Sequence, residues 1–135
     1  MQIRNSNGET FRDPKQACAP LMDPLKLDSI RTLDPDGKIG LLKRVVDLYI
    51  EKSPPLIQQM LLGLDRGNSE EVYRAAHSLK SSSATVGATG LAEMCRRLEM
   101  AGREGSLEGA PEMIREIDAE FSRVCAALTR QIEGH

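Results

Sequence analysis

The stretch Glu71-Val72-Tyr73-Arg74-Ala75-Ala76-His77-Ser78-Leu79-Lys80-Ser81-Ser82-Ser83-Ala84-Thr85-Val86-Gly87-Ala88 decides how this chain folds. At about 100° per residue, Val72, Ala76, Leu79, Ser83 and Val86 gather within roughly 80° of one another. The spacing predicts one helix with a single side turned to a core. His77 stands about 140° from Val72, on the side turned to solvent or to the edge of a groove. Lys80 follows one turn later, about 60° from His77 and on the same side. Ser81 and Ala84 lie near that line, and both are small. The helix therefore displays an imidazole with a cation beside it and little bulk above it. A surface His followed by a Lys is common on solvated helices, so the pair alone assigns no chemistry.

On the amino-terminal side, Asn68 and Glu71 stand at capping-box spacing, and Glu70 and Glu71 suit the positive end of the helix dipole. Gly67 stops the preceding segment. That segment runs from Lys38 and carries Leu41, Leu42, Val45, Val46, Tyr49, Leu56, Met60 and Leu64. Ser53-Pro54-Pro55 interrupts it. Proline removes a helical hydrogen bond and clashes with the turn before it. A kink or a break is expected there, with the apolar face continuing across it. Earlier still, Asp23-Pro24 is a helix start, with Asp as N-cap and Pro at the first helical position. A short helix with Leu25, Leu27, Ile30 and Leu33 follows, and Asp34-Pro35-Asp36-Gly37 is a turn. Residues 1–21 are polar, contain Pro14 and Pro20 and lack periodicity, so they read as a flexible arm or linker. The helical domain then covers residues 22–133.

On the carboxyl-terminal side, Gly87 is a left-handed helix terminator. A further helix places Leu91, Met94, Cys95 and Leu98 on one side, and Gly102 and Gly105 end it. The last helix starts near Pro111. It carries Met113, Ile114, Ile117, Phe121, Val124, Cys125, Leu128 and Ile132, the cleanest stripe in the chain. The fold class is all-α: an antiparallel up-and-down four-helix bundle with a short extra N-terminal helix.

Composition agrees. Of 135 residues, 40% are hydrophobic but only 3% aromatic, so the core is built from aliphatic side chains and Met, which suits packed helices. A net charge of −2 and the lack of a basic cluster with interleaved aromatics argue against nucleic-acid binding. No apolar run reaches the length of a membrane span, so membrane contact by this domain is not expected. Cys18, Cys95 and Cys125 match no metal-binding spacing, and the latter two fall on apolar faces. Reduced, buried cysteines fit a cytoplasmic location. With His77 and His135 as the only histidines, a metal-holding bundle lacks ligands, and no base stands near a cysteine for hydrolysis. Gly-rich phosphate loops, nucleotide motifs and Mg²⁺-binding carboxylate clusters are missing from the sequence, so neither ATP binding nor self-phosphorylation is expected.

The run Ala76-His77-Ser78-Leu79-Lys80-Ser81-Ser82-Ser83, then Val86-Gly87-Ala88, then Leu91, Cys95, Leu98 and Glu99, resembles a histidine-containing phosphotransfer (HPt) domain. Many members of that family carry Gly where Ser81 stands. The resemblance implies a relay in which His77 takes a phosphoryl group from an aspartate of a receiver domain and passes it to another response-regulator receiver. It implies that Glu99 accepts a hydrogen bond from the His77 ring and orients it, and that Lys80 stabilises the phosphoryl charge. Arg74, one turn before His77, could assist Lys80. Ser81, Ala84 and Gly87 would leave room for a docking receiver, and Tyr73 either rims that surface or packs locally. The domain would need no cofactor of its own, with Mg²⁺ held by the partner. The partners implied are receiver domains and a hybrid histidine kinase in cis, with this chain a monomer, free-standing or the carboxyl-terminal part of a membrane-anchored kinase. A competing reading is a helical adaptor that binds its partner through an apolar groove and is never phosphorylated.

Overall fold

The structure, a computed structural model, describes residues 22–37 and 40–133. Its helices are α1 (Pro24–Thr32), α2 (Leu41–Asp65), α3 (Ser69–Thr85), α4 (Thr89–Arg103) and α5 (Ala110–Glu133). Among the described residues no strand occurs. Helix α3 packs most extensively against α4 and next against α2, while α5 closes the ring against both α4 and α2. Helix α1 rests on α2. This is the expected four-helix bundle with a short leading helix. The arm expected over residues 1–21, Cys18, the helix start at Lys38 and His135 lie outside the described residues.

Local chemistry sets most boundaries. Asp23 caps α1 by accepting from the Leu25 N–H at 3.0 Å, and Pro24 occupies the first turn. Gly40 is left-handed, and the Asp34 carboxylate accepts from the Leu41 N–H at 3.0 Å, so α2 begins at Leu41. Asn68 caps α3 by accepting from the Glu71 N–H at 3.1 Å. The expected capping box is only half built: the Glu71 carboxylate accepts from Arg66 at 3.1 and 3.2 Å.

Of the kink or break expected at Ser53-Pro54-Pro55, a break does not occur: α2 is helical from Leu41 to Asp65, and its apolar face continues across the prolines as expected. Both prolines face solvent, while Val46, Tyr49, Ser53, Ile57 and Met60 keep one buried stripe on either side of them. Packing along that stripe outweighs the lost hydrogen bonds. Gly102 does not end α4 but lies inside it, buried against α3. A Cβ there would stand 2.7 Å from Tyr73 Cβ and 3.0 Å from the Ser69 carbonyl oxygen. Only glycine permits so close an approach of α3 and α4.

The core is aliphatic. Met60, Leu79, Leu91, Leu98, Ile114, Ile117 and Leu128 are its largest fully buried side chains. A polar contact crosses it: the Tyr49 and Ser83 hydroxyls are 2.7 Å apart, joining α2 to α3. Burial, partly offset by that hydrogen bond, pushes the Tyr49 phenol well above its ordinary range.

Candidate functional site: a half-exposed histidine on a buried carboxylate

His77 sits in the middle of α3, with Ala75, Ala76 and Leu79 buried beneath it. Its side chain is 53% exposed, as the periodicity predicted. Nδ1 lies 2.9 Å from Glu99 Oε2 on α4. The Glu99 side chain is only 7% exposed. Glu99 borders the stripe of Leu91, Cys95 and Leu98, about one turn before Gly102, where α4 comes close to α3.

A buried carboxylate needs compensation. Glu99 receives it from three side chains. Lys80 Nζ is 2.7 Å from Oε1. Arg103 donates from Nε and Nη2 to Oε2 at 3.2 and 3.1 Å. His77 Nδ1 shares that same oxygen. Oε1 is sealed from solvent, and Lys80 Nζ at 2.7 Å is what compensates it. Burial raises the Glu99 carboxyl, but hydrogen bonds from Lys80, His77 and Arg103, with the Lys80 charge, outweigh it. The carboxyl is held below its ordinary range.

The consequence for the ring is direct. An ionised carboxylate only accepts, so Nδ1 carries the proton and donates. In the neutral imidazole that leaves Nε2 with its lone pair. The site therefore presents a nucleophilic nitrogen on a helix surface, with its tautomer chosen from below. Cys95 does not compete as a nucleophile. Burial first, then the Glu99 charge, pushes its thiol up to about 12.

His77, Lys80 and Glu99 thus come together. Ser81 and Ala84 are exposed on the same helix and leave the ring uncovered. Arg74 does not join them: its guanidinium is paired with Glu70, one turn away. Gly87 is not at the surface either. It is left-handed, with φ +83°, buried, and its carbonyl accepts from the Asp23 N–H at 2.6 Å. A Cβ there would meet the Asp23 carbonyl oxygen at 2.6 Å, so Gly87 seats α1 rather than a visitor. Tyr73 packs locally, under the Arg103 guanidinium at 4.7 Å from the ring centre.

Two features escaped the sequence reading. Arg103 was the first, although its spacing four residues after Glu99 is an ordinary helical pairing signal. The second is a shallow apolar groove of about 300 Å³ between α2 and α3, lined by Leu48, Lys52, Leu56, Ser78, Ser82 and Thr85 among others. Among the described residues, no group of three or more His, Cys, Asp or Glu could hold a metal ion.

Known proteins share this arrangement of helices. The chain is 26% identical over 102 residues to Histidine-containing phosphotransfer protein 2 of Arabidopsis thaliana, covering 73% of this chain and 65% of that protein. Multistep phosphorelay regulator 1 of Schizosaccharomyces pombe is 25% identical over 104 residues, covering 77% of this chain and 35% of that one. The chain thus spans about two thirds of the plant relative's length and about a third of the yeast one's. A crystal structure of histidine-containing phosphotransfer protein B from Pseudomonas aeruginosa superposes with a TM-score of 0.78 at 26% identity, covering 87% of this chain and 98% of that one. A rice protein described as a putative histidine-containing phosphotransfer protein has the same fold, with a TM-score of 0.72 at 22% identity and 84% of each chain covered. The Hpt domain model matches residues 44–127, well over half the chain and the whole of the His77 environment up to Arg103. By that match, the chain belongs to the Hpt domain family.

Proposed function

We propose that this chain is a phosphorelay carrier that accepts a phosphoryl group on His77 Nε2 from a receiver-domain aspartate and hands it to another receiver. The observation that carries this reading is the 2.9 Å contact of His77 Nδ1 with buried Glu99 under a half-exposed ring. In the forward step the Nε2 lone pair attacks phosphorus, the aspartyl C–O–P linkage opens at its O–P bond, and the aspartate leaves as carboxylate. The ring becomes a phosphoimidazolium whose positive charge is shared with Glu99 through Nδ1–H. The return step reverses each bond change. Lys80 holds one donor toward Glu99 and has others for phosphoryl oxygens. The receiver supplies Mg²⁺ and the remaining charge, so this chain carries phosphate without a kinase activity or cofactor of its own.

The docking surface is the outer face of α3 around His77, Ser81 and Ala84, extended by the α2–α3 groove. Leu48, half-exposed at its mouth, supplies apolar area, and Lys52 and Ser78 supply a polar rim. A transient contact of this kind suits a monomer and a small interface. A hybrid kinase in cis and a cytoplasmic location belong to the same proposal. Among the described residues no helix is long and apolar enough to cross a membrane.

The test is incubation with a phosphorylated receiver. Acid-labile, base-stable phosphate should appear on His77, and His77→Gln should take up none while keeping its fold. A His77→Gln variant that still performs in its pathway would support the adaptor reading instead.

A further inference from the structure

Glu99 carries a full charge where a neutral amide would orient the imidazole equally well. A carboxylate beside a histidine normally favours the doubly protonated ring, because the ion pair gains Coulomb energy. A doubly protonated ring has no lone pair at Nε2 and cannot attack phosphorus. The relay reading therefore has an electrostatic difficulty built into its own orienting residue.

The charges around Glu99 bear on that difficulty. Lys80 approaches from α3 at 2.7 Å, and Arg103 from one turn on in α4 at 3.1 Å. Cys95, its thiol protonated and neutral, interacts electrostatically with Glu99 and Lys80, and the Tyr73 ring lies under Arg103. Arg74 is engaged elsewhere by Glu70. With His77 neutral, the cluster holds one negative and two positive charges. Adding a proton to the ring would place a third cation on a single carboxylate. Arg103 also binds the very oxygen that accepts from Nδ1, so it competes with an imidazolium for that atom.

We infer that Arg103 is a positioning residue that spends the charge of Glu99, so that this carboxylate orients His77 without capturing it as an imidazolium. Its place is set by Glu99 and by stacking on Tyr73, and its side chain is more than half exposed, so it reaches the cluster from the rim. Lys80 alone would neutralise the carboxylate only until phosphate arrived to draw on the same ammonium. Arg103 keeps Glu99 compensated through both halves of the transfer. The inference rests on the relay reading for its purpose, but its content is a proton count on an isolated protein.

The experiment measures ring ¹⁵N shifts of His77 between about pH 5 and pH 8 in the full chain, with no receiver present. Arg103→Met, which keeps a stem over Tyr73, should raise the ratio of doubly protonated to neutral ring at fixed pH by roughly threefold or more. Arg103→Lys should restore most of the wild-type ratio. In a Glu99→Gln background Arg103→Met should have little effect, because no carboxylate charge remains to be spent. An unchanged ratio in Arg103→Met, or an equal rise in the Glu99→Gln background, would overturn the inference. Failure of phosphate transfer with the proton ratios as expected would count against the relay reading alone.

Discussion

At the residue scale, the site is an argument about one buried carboxylate. Replacing Glu99 by Ala removes hydrogen bonds to charged groups and leaves two cations and a ring without their acceptor. The expected loss is about 1.5–3 kcal/mol in denaturant unfolding, together with loss of the single ring tautomer in ¹⁵N spectra. The pH dependence follows from the direction of the Glu99 shift. Its native carboxyl lies below the ordinary value of 4.5, so the unfolded chain binds the proton more tightly. The stabilisation is complete above that value and is lost as pH falls through the native one. Glu99→Gln should therefore unfold with a shallower acid dependence than wild type below about pH 4.5; equal slopes in the two proteins would contradict it. Lys80→Ala should slow phosphoryl acceptance by roughly tenfold without abolishing it, since the exposed ring and the receiver's own charges remain. Single-turnover transfer from a phosphorylated receiver measures this.

At the element scale, glycines and prolines decide how the helices meet. Gly102→Ala inserts a methyl group against Tyr73 Cβ and the Ser69 carbonyl, neither of which is the free end of a flexible side chain. It should cost about 1–3 kcal/mol and loosen α3 from α4, and the ¹⁵N tautomer signal of His77 should weaken along with stability. The prolines of α2 act the other way. Pro54→Ala/Pro55→Ala restores two N–H donors on an exposed helix face at a modest cost in unfolded-chain entropy. The pair should raise unfolding stability by about 1–3 kcal/mol. No gain would mean that the turn from Ile50 to Pro55 takes a shape that alanine does not improve.

At the scale of the whole molecule, stability and chemistry separate. Leu98→Ala opens a cavity in a fully buried part of the core and should cost about 2–5 kcal/mol, whereas His77→Gln should leave the melting temperature nearly unchanged and remove phosphate acceptance. The helices, their apolar stripes and the outward face of His77 were legible in the sequence. Each depends on a repeat of 3.6 residues, and residues a few positions apart along one helix are near neighbours whatever the rest of the chain does. That same local reading could not see that α1 covers Gly87 or that Gly102 is a crossing point rather than an end, and it could not choose between a break and a continuous helix at the prolines. The pairing of Arg103 with Glu99 is an i,i+4 contact that spacing alone could have suggested, but its convergence with His77 on one oxygen needs the neighbouring helix. What the chain alone determined is a bundle with one imidazole facing out. The burial of Glu99, the sharing of Oε2 with His77 and the compensation from Lys80 arise only when α3 and α4 pack in register, since electrostatic interactions depend on separation and on exclusion of water.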